Sequence, residues 1–296
     1  MLTRKQFDLL VFLTQQEKSV SQRRMADQLK MSVGTVNKLV KELTDEGLVH
    51  DGVITPKGIT ALEPYRVKRA ILMAAGFGSR MVPITLNTPK PLVRVKGVRI
   101  IDTLLDALLA ADITEIYVVR GYLAEQFDQL LYKYPMIKFV ENPMYNEANN
   151  IVSVMCCGPL VRNSYIMEAD LFMRNPKLIQ KYQYMSNYLA IPMERTDDYC
   201  LYTENGIIKG TGLGGINCHQ TVGISYWTDS DGARLVDHIK DVYHSPGGKE
   251  QFWGSVPLRF HAKDYTVGIR ECTLDDIIEI DSFKELKALD PVYNVQ

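Results

Sequence analysis

The stretch Ile71-Leu72-Met73-Ala74-Ala75-Gly76-Phe77-Gly78-Ser79-Arg80-Met81, followed by Pro89-Lys90-Pro91, sets the fold class of this chain. A short apolar run empties into a glycine turn that carries an arginine, and a lysine framed by two prolines comes next. That order suits a phosphate-handling site at the carboxyl end of a buried strand. Two familiar phosphate motifs are excluded. A dinucleotide fingerprint G-x-G-x-x-G would need glycine where Met81 stands, and no Gly-Lys-Ser/Thr follows Gly76 to complete a Walker A loop. An incidental Gly-rich turn would require neither Arg80 nor the Pro-Lys-Pro frame.

The turn begins near residue 70 of 296, which leaves room for a separate amino-terminal domain. A hydrophobic fraction of 46% with 23% charged residues is that of a soluble globular protein. A net charge of −1 excludes any global attraction to nucleic acid or membrane, so such binding would need a local patch. The five cysteines, Cys156, Cys157, Cys200, Cys218 and Cys272, contain no C-x-x-C spacing, so neither a zinc knuckle nor a disulfide framework is encoded. Asp8 interrupts the amino-terminal apolar residues, and the apolar run 100–111 carries Asp102 and Asp106. Neither is a signal peptide or a membrane span, and a cytoplasmic location is expected.

Residues 1–64 predict three helices and a small hairpin. Thr3 caps a first helix with Phe7, Leu10, Val11 and Leu13 on one face, and Ser21 opens a second with Met25 and Leu29 inward. Ser32 caps a third, with Val33, Val36, Leu39, Val40 and Leu43 at helical spacing up to Gly47. Leu48-Val49-His50, Asp51-Gly52 and Val53-Ile54-Thr55 read as strand, turn and strand, and Pro56 starts a closing helix. This segment resembles the winged helix–turn–helix of bacterial transcription regulators. The resemblance implies that Ser32, Gly34, Thr35, Asn37 and Lys38 face base edges or phosphates, with Lys41, Arg23, Arg24 and Lys57 on the backbone. A single copy would have to form a homodimer to read a palindrome. Asp27, Glu42, Asp45, Glu46 and Asp51 nearly balance the local basic residues, so a protein–protein module is the competing reading.

Residues 68–296 form the second expected domain. Strands are predicted over 70–74, 115–119, 138–140 and 164–167, and helices over 99–111, 124–134, 150–157 and 176–185. The alternation predicts an α/β fold whose mostly parallel sheet is flanked by helices, with ligands at the carboxyl ends of the strands. Residues 188–226 read as an antiparallel excursion. Bound phosphates need cations, and Arg80 and Lys90 supply them. Asp170, just beyond a strand end, is a natural Mg²⁺ ligand. In Asp275-Asp276-Ile277-Ile278-Glu279-Ile280-Asp281, strand alternation puts Glu279 and Asp281 on one face.

The glycine turn resembles the signature L-A-A-G-x-G-x-R-[LM], then P-K-P, of nucleotidyltransferases that join a nucleoside triphosphate to a phosphorylated small molecule; Met73 is the one mild departure. The resemblance implies a Rossmann-like nucleotidyltransferase sheet and makes Asp170 and Asp281 the pair of metal ligands. Val119-Arg120-Gly121-Tyr122, 146–153 and Gly223-Ile224-Ser225-Tyr226-Trp227 sharpen it: residues 68–290 look like the phosphocholine cytidylyltransferases of choline-decorating bacteria. That family implies nucleotide contacts at Ala74, Ala75, Gly76, Gly78, Gly121, Tyr122, Asn150 and Ser153. Tyr145, Tyr226, Trp227 and Trp253 would offer aromatic faces, and Glu279 charge, to a quaternary ammonium. Gly254 stands where an acidic residue is expected, which leaves phosphoethanolamine or an aminoalkylphosphonate as alternatives to phosphocholine.

The expected reaction uses CTP and Mg²⁺: an acceptor oxygen attacks the α-phosphorus in line, with Arg80, Lys90 and Asp170 as catalytic groups. A sugar-1-phosphate nucleotidyltransferase, and a transcription regulator using the domain as a ligand sensor, are the rival readings.

Overall fold

Hydroxyl-bearing residues start the four α-helices described in the first unit, and each satisfies a backbone N–H group that a helix leaves unbonded. A computed structural model describes residues 1–16 and 18–294. Thr3 and Gln6 form a reciprocal capping box on α1 (Arg4–Thr14), Ser21 caps α2 (Gln22–Gln28), and Ser32 caps α3 (Val33–Asp45). A tight hairpin follows, β1 (Val49–His50) and β2 (Val53–Ile54), turned by Asp51 and Gly52 with φ of 49° and 75°. Positive φ at both positions is what a two-residue hairpin turn requires. Thr55 caps α4 (Pro56–Leu62). Leu9, Leu10, Leu13, Met25, Val36, Leu43 and Leu62 close the core, each burial contributing about 1.5–3 kcal/mol. On α3 the side chains of Ser32, Asn37, Lys38 and Lys41 are exposed and Thr35 is half-buried; Val33, expected inward, is 47% exposed.

This unit comprises Met1–Arg66 and, unforeseen, Tyr182–Tyr184. Residues 176–185 were expected to be helical, yet Pro176–Leu178 makes a single 3-10 turn. The next residues run extended, because Tyr182 bridges to Arg66 as a strand would. Tyr184 stacks on Tyr65 at 5.5 Å and lies 5.3 Å from Phe7, while its O–H donates to the Leu2 carbonyl at 3.3 Å.

The second unit is Val67–Lys181 with Met185–Gln296. In chain order its elements are β3 (Arg69–Met73), β4 (Arg94–Val95), β5 (Val98–Arg99), α5 (Ile100–Ala110), β6 (Glu115–Arg120), β7 (Lys138–Glu141), α6 (Ile151–Cys157), β8 (Ser164–Glu168) and β9 (Leu171–Met173). There follow β10 (Asn187–Glu204), β11 (Ile207–Trp227), α7 (Asp229–His244), β12 (Gly268–Glu271), β13 (Ile277–Glu279) and α8 (Phe283–Leu289). The main sheet has the order β10-β12-β11-β8-β3-β6-β7. β3 is parallel to β6 and β8, and β6 to β7, whereas β11 is antiparallel to β8. Parallel strands are covered on both faces, which is why Ala70, Ile71 and Leu72 are all fully buried.

One core, with Leu72, Leu104, Leu108, Val118 and Phe127, lies on one face, and another, with Ile71, Val119, Trp227 and Leu235, on the opposite face. Residues 188–226 form the expected antiparallel arm, turned by Asn205 and Gly206 with φ of 50° and 75°. Ala124–Tyr132 is a 3-10 helix. α7 went unread in the sequence, although Thr228 caps it and Leu235, Ile239, Val242 and Tyr243 bury one face. Among the described residues, no helix is long and apolar enough to cross a membrane.

Because Tyr184 completes the first core, Tyr184→Ala should cost that unit roughly 2 kcal/mol, part of the penalty of a full aromatic truncation. Amide hydrogen exchange should accelerate across 7–13 and leave β3 and β8 unchanged; unaltered protection of 7–13 would contradict the role given to Tyr184.

Candidate active site

β3 ends at Met73, and the chain beyond it needs a glycine at position 78 to turn under its own neighbours. Gly78 has φ of +62°, and a Cβ there would lie 3.0 Å from Lys90 Cβ and 3.1 Å from Thr85 Cγ2. Thr85 Oγ1 in turn donates to the Gly78 carbonyl at 2.8 Å, which fixes the turn. A 3-10 turn at Ser79–Met81 then presents Arg80.

Lys90 is only 7% exposed. Its Nζ donates to Asp170 Oδ2 at 2.7 Å and to Asp281 Oδ1 at 2.9 Å, and Arg80 Nη2 reaches the same Asp281 oxygen at 2.7 Å. Burial works against the Lys90 charge, yet the Asp170 and Asp281 carboxylates more than offset it and hold its pKa above the ordinary lysine range. The two acids meet because β13 pairs antiparallel with β9, and Ile280 N–H donates to the Asp170 carbonyl at 3.2 Å. Directly after Asp281, Ser282 caps α8 in a capping box with Glu285, whose carboxylate also accepts from Asp281 N–H at 2.8 Å.

A cavity of about 430 Å³ opens over this cluster. Of the residues singled out in the sequence, Ala74, Ala75, Gly76, Gly78, Arg80, Lys90, Asn150, Ser153, Asp170 and Asp281 line it. No histidine is among the described residues lining it. Asp170 Oδ1 is buried without a hydrogen-bond partner, and Asp170, Glu279 and Asp281 each offer an oxygen within 4.8 Å of the others. An all-oxygen donor set with one unsatisfied buried atom suits a hard divalent cation. Glu279 keeps solvent-facing surface, yet protein crowds its carboxyl. That desolvation, followed by the charges of Asp170 and Asp281, pushes its pKa up to about 8.

Gly121 and Tyr122 stand beside the cavity. Tyr122 N–H donates to the Ala75 carbonyl at 3.1 Å and its O–H to that of Thr85 at 3.0 Å. A Cβ on Gly121 would meet the Tyr145 ring at 2.8 Å, so close approach of that ring demands glycine here. Phe77, to which the sequence assigned no role, stands 5.1 Å from Tyr122 and 5.3 Å from Tyr145. Phe77 and Tyr145 line a second cavity of about 340 Å³ with Asn149 and Lys249.

Three expectations are corrected. Tyr226 and Trp227 are 3% and 0% exposed, and their polar atoms are used internally: Tyr226 O–H donates to Asn163 Oδ1 at 3.0 Å and Trp227 Nε1–H to Ser225 Oγ at 3.0 Å. Trp253, 5% exposed, stacks on Tyr188 at 6.2 Å. Their faces are spent in packing, so none of the three offers a surface to a ligand. Glu168, to which the sequence assigned no role, does line the cavity and accepts from Asn150 Nδ2 at 3.2 Å. Strand alternation could have found it, since it sits two positions before Asp170 at the end of β8.

The Nucleotidyl transferase family model matches residues 69–168 and the MarR family model residues 2–52. The chain is 36% identical over 228 residues to the 2-aminoethylphosphonate cytidylyltransferase of Lancefieldella rimae, covering 76% of this chain and 92% of that one. It is 30% identical over 230 residues to the choline-phosphate cytidylyltransferase of Streptococcus pneumoniae, covering 76% and 97%. The solved CTP:phosphocholine cytidylyltransferase of S. pneumoniae superposes with a TM-score of 0.70 at 29% identity, over 77% of this chain and 99% of that one. Sequence likeness of this extent, carried over a matching fold, means that the chain belongs to the cytidylyltransferases of the nucleotidyl transferase family, with a winged helix of the MarR family at its amino terminus.

Proposed function

We propose that the protein transfers the cytidylyl group of CTP, with Mg²⁺, to the phosphate or phosphonate oxygen of a short amine-bearing acceptor such as phosphocholine, phosphoethanolamine or 2-aminoethylphosphonate. The observation that supports the reading is the meeting of Arg80, Lys90, Asp170 and Asp281 in one cavity beside a glycine turn. The acceptor oxygen attacks the α-phosphorus in line, a new P–O bond forms, and the bond to the β-phosphate oxygen breaks to release pyrophosphate. The acceptor is already an anion, so no protein base has to remove a proton. Lys90 and Arg80 neutralise charge on the reacting phosphates, and the backbone of Ala74, Ala75 and Gly76 borders the nucleotide. Asp170 and Asp281, with Glu279 beside them, would hold the divalent ion. Bound there, it would neutralise charge gathering on the α-phosphoryl oxygens and the leaving group.

Asp170→Asn and Lys90→Met should each lower kcat/KM by roughly 10²–10³-fold, the usual effect of removing one preorganised charge. Pyrophosphate release measured with CTP, UTP, GTP and dTTP against amine-bearing phosphates and sugar 1-phosphates checks this reading. Preference for a sugar phosphate would favour the sugar-nucleotide alternative, and losses below about threefold would remove both residues from the reaction.

Glu279 also makes a prediction about pH. Its folded pKa of about 8 exceeds the ordinary 4.5, so the folded chain retains a proton that the unfolded chain has released. The resulting stability is full below the ordinary value and is lost as pH rises through the folded value. In the absence of divalent ions the thermal midpoint should therefore fall between about pH 5 and about pH 9, and Glu279→Gln should flatten that fall. An unchanged pH slope in the variant would contradict the crowding described.

For the amino-terminal unit we propose DNA binding through α3, supported by the exposed Ser32, Asn37, Lys38 and Lys41 with Thr35 beside them. Lys41→Ala should weaken binding to a palindromic duplex uniformly across sequences and reduce the salt slope by about one. No mobility shift at about 50 mM salt would leave the module a protein–protein element.

A further inference from the structure

Four carboxyl groups, those of Glu168, Asp170, Glu279 and Asp281, border one site; of the two cations at hand, Lys90 is engaged with Asp170 and Asp281, and Arg80 with Asp281. Among the described residues, Glu168 has no cationic partner within ion-pair distance. Among the described residues it receives one hydrogen bond, from Asn150 Nδ2. The orientation of that amide is dictated, because Asn150 Oδ1 accepts from the backbone N–H of Trp253 at 3.0 Å, which leaves the NH₂ for Glu168. One Glu168 oxygen is thereby fixed, and the other has no donor among the described residues.

The space around this carboxylate is constructed. Gly223 faces it with φ of +69°, and a Cβ there would fall 2.7 Å from Glu168 Cγ and 3.0 Å from its Cβ. Only a glycine lets β11 pass while Glu168 keeps its place. On the same sheet face lies Tyr188: it is paired with Ser225, which is paired with Ile166, two positions before Glu168. Among the described residues the buried Tyr188 hydroxyl makes no hydrogen bond within 3.5 Å, the Ser225 hydroxyl being only a weak neighbour, and Gly254 stands beside it, with its Cβ position 3.3 Å from that oxygen. An unsatisfied phenol next to an unpaired carboxylate is costly unless a ligand completes the set.

We propose that Glu168, with the Tyr188 hydroxyl behind it, receives the amine of the acceptor, and that the site is built for a primary ammonium rather than a trimethylammonium. This assignment rests on the cytidylyltransferase reading above. The discrimination follows from hydrogen-bond chemistry. A primary ammonium carries three N–H donors for the free carboxylate and phenol oxygens, whereas a quaternary ammonium has none and leaves them unpaired. A quaternary ammonium is held instead by open aromatic faces, and the two indoles packed against Tyr188, those of Trp227 and Trp253, are buried in the core.

The test is initial-rate pyrophosphate release by the full chain with CTP and Mg²⁺ on 2-aminoethylphosphonate, its N,N-dimethyl and N,N,N-trimethyl forms, and ethylphosphonate, which has no amine. The wild type should lose at least about tenfold in kcat/KM on full methylation, chiefly in KM. In Glu168→Gln the preference for aminoethyl over ethyl acceptor should collapse by at least about tenfold, while CTP affinity, measured calorimetrically, stays within about twofold. Equal use of primary and trimethyl acceptors by the wild type, or an unchanged aminoethyl-to-ethyl preference in Glu168→Gln, would overturn the assignment and leave the transferase reading intact. Turnover of none of the four would overturn the transferase reading and this assignment with it. The methylation series needs no variant, so a misfolded Glu168→Gln would not rescue the proposal.

Discussion

The Lys90 ammonium, shared between Asp170 and Asp281, is the interaction on which the catalytic unit depends. It ties the loop after β3 to the end of β8 and to the segment following β13, elements separated in sequence by 80 and 191 residues. The charge is nearly buried, and a buried cation is tolerated only where carboxylates face it. Removing a partner from such a group leaves an uncompensated charge at a cost of about 3–5 kcal/mol. The same constraint explains the local backbone: Gly78 is glycine because a side chain there would push against Lys90 itself.

Carboxyl groups outnumber cations at this centre even after that ion pair is formed. Among the described residues Asp170 Oδ1 finds no hydrogen-bond donor and Glu168 no cation, and Glu279 is crowded into an elevated pKa. A centre of this kind is unstable by itself and favourable when cations arrive with a ligand. Stability is thereby lower in the empty site than in the filled one, as expected where function sets residue choice. The aromatic frame around Gly121 answers a different demand. There a missing side chain admits the Tyr145 ring, which stands with Phe77 and Tyr122 at the rim of the glycine turn.

Much of this was legible in the chain. The glycine turn, Arg80, Lys90, Asp170 and Asp281 could be read because each lies at a strand end or in a short turn, where local sequence dictates geometry. The helix caps of Thr3, Ser21 and Ser32 were legible for the same reason. The aromatic residues were not. Tyr226 and Trp227 sit on a strand covered on both faces, so their chemistry could not reveal whether ligand or core would face them. Residues 176–185 carry apolar spacing that suits a helix, but Tyr182 and Tyr184 alternate toward the first core and extend the chain. Glu168 was not legible because β8 runs one residue past the strand expected over 164–167, and only the fold brings Asn150 and Gly223 against its side chain.

The account is tested most directly by where a divalent ion sits when CTP is bound. Crystals grown with CTP and Mn²⁺ should give an anomalous peak about 2.1–2.3 Å from carboxylate oxygens of Asp170 and Asp281, with the triphosphate against the turn that holds Arg80. A peak elsewhere, for example at the second potential ligand group formed by His238, His261 and Asp264, with those two carboxylates free of metal, would contradict it.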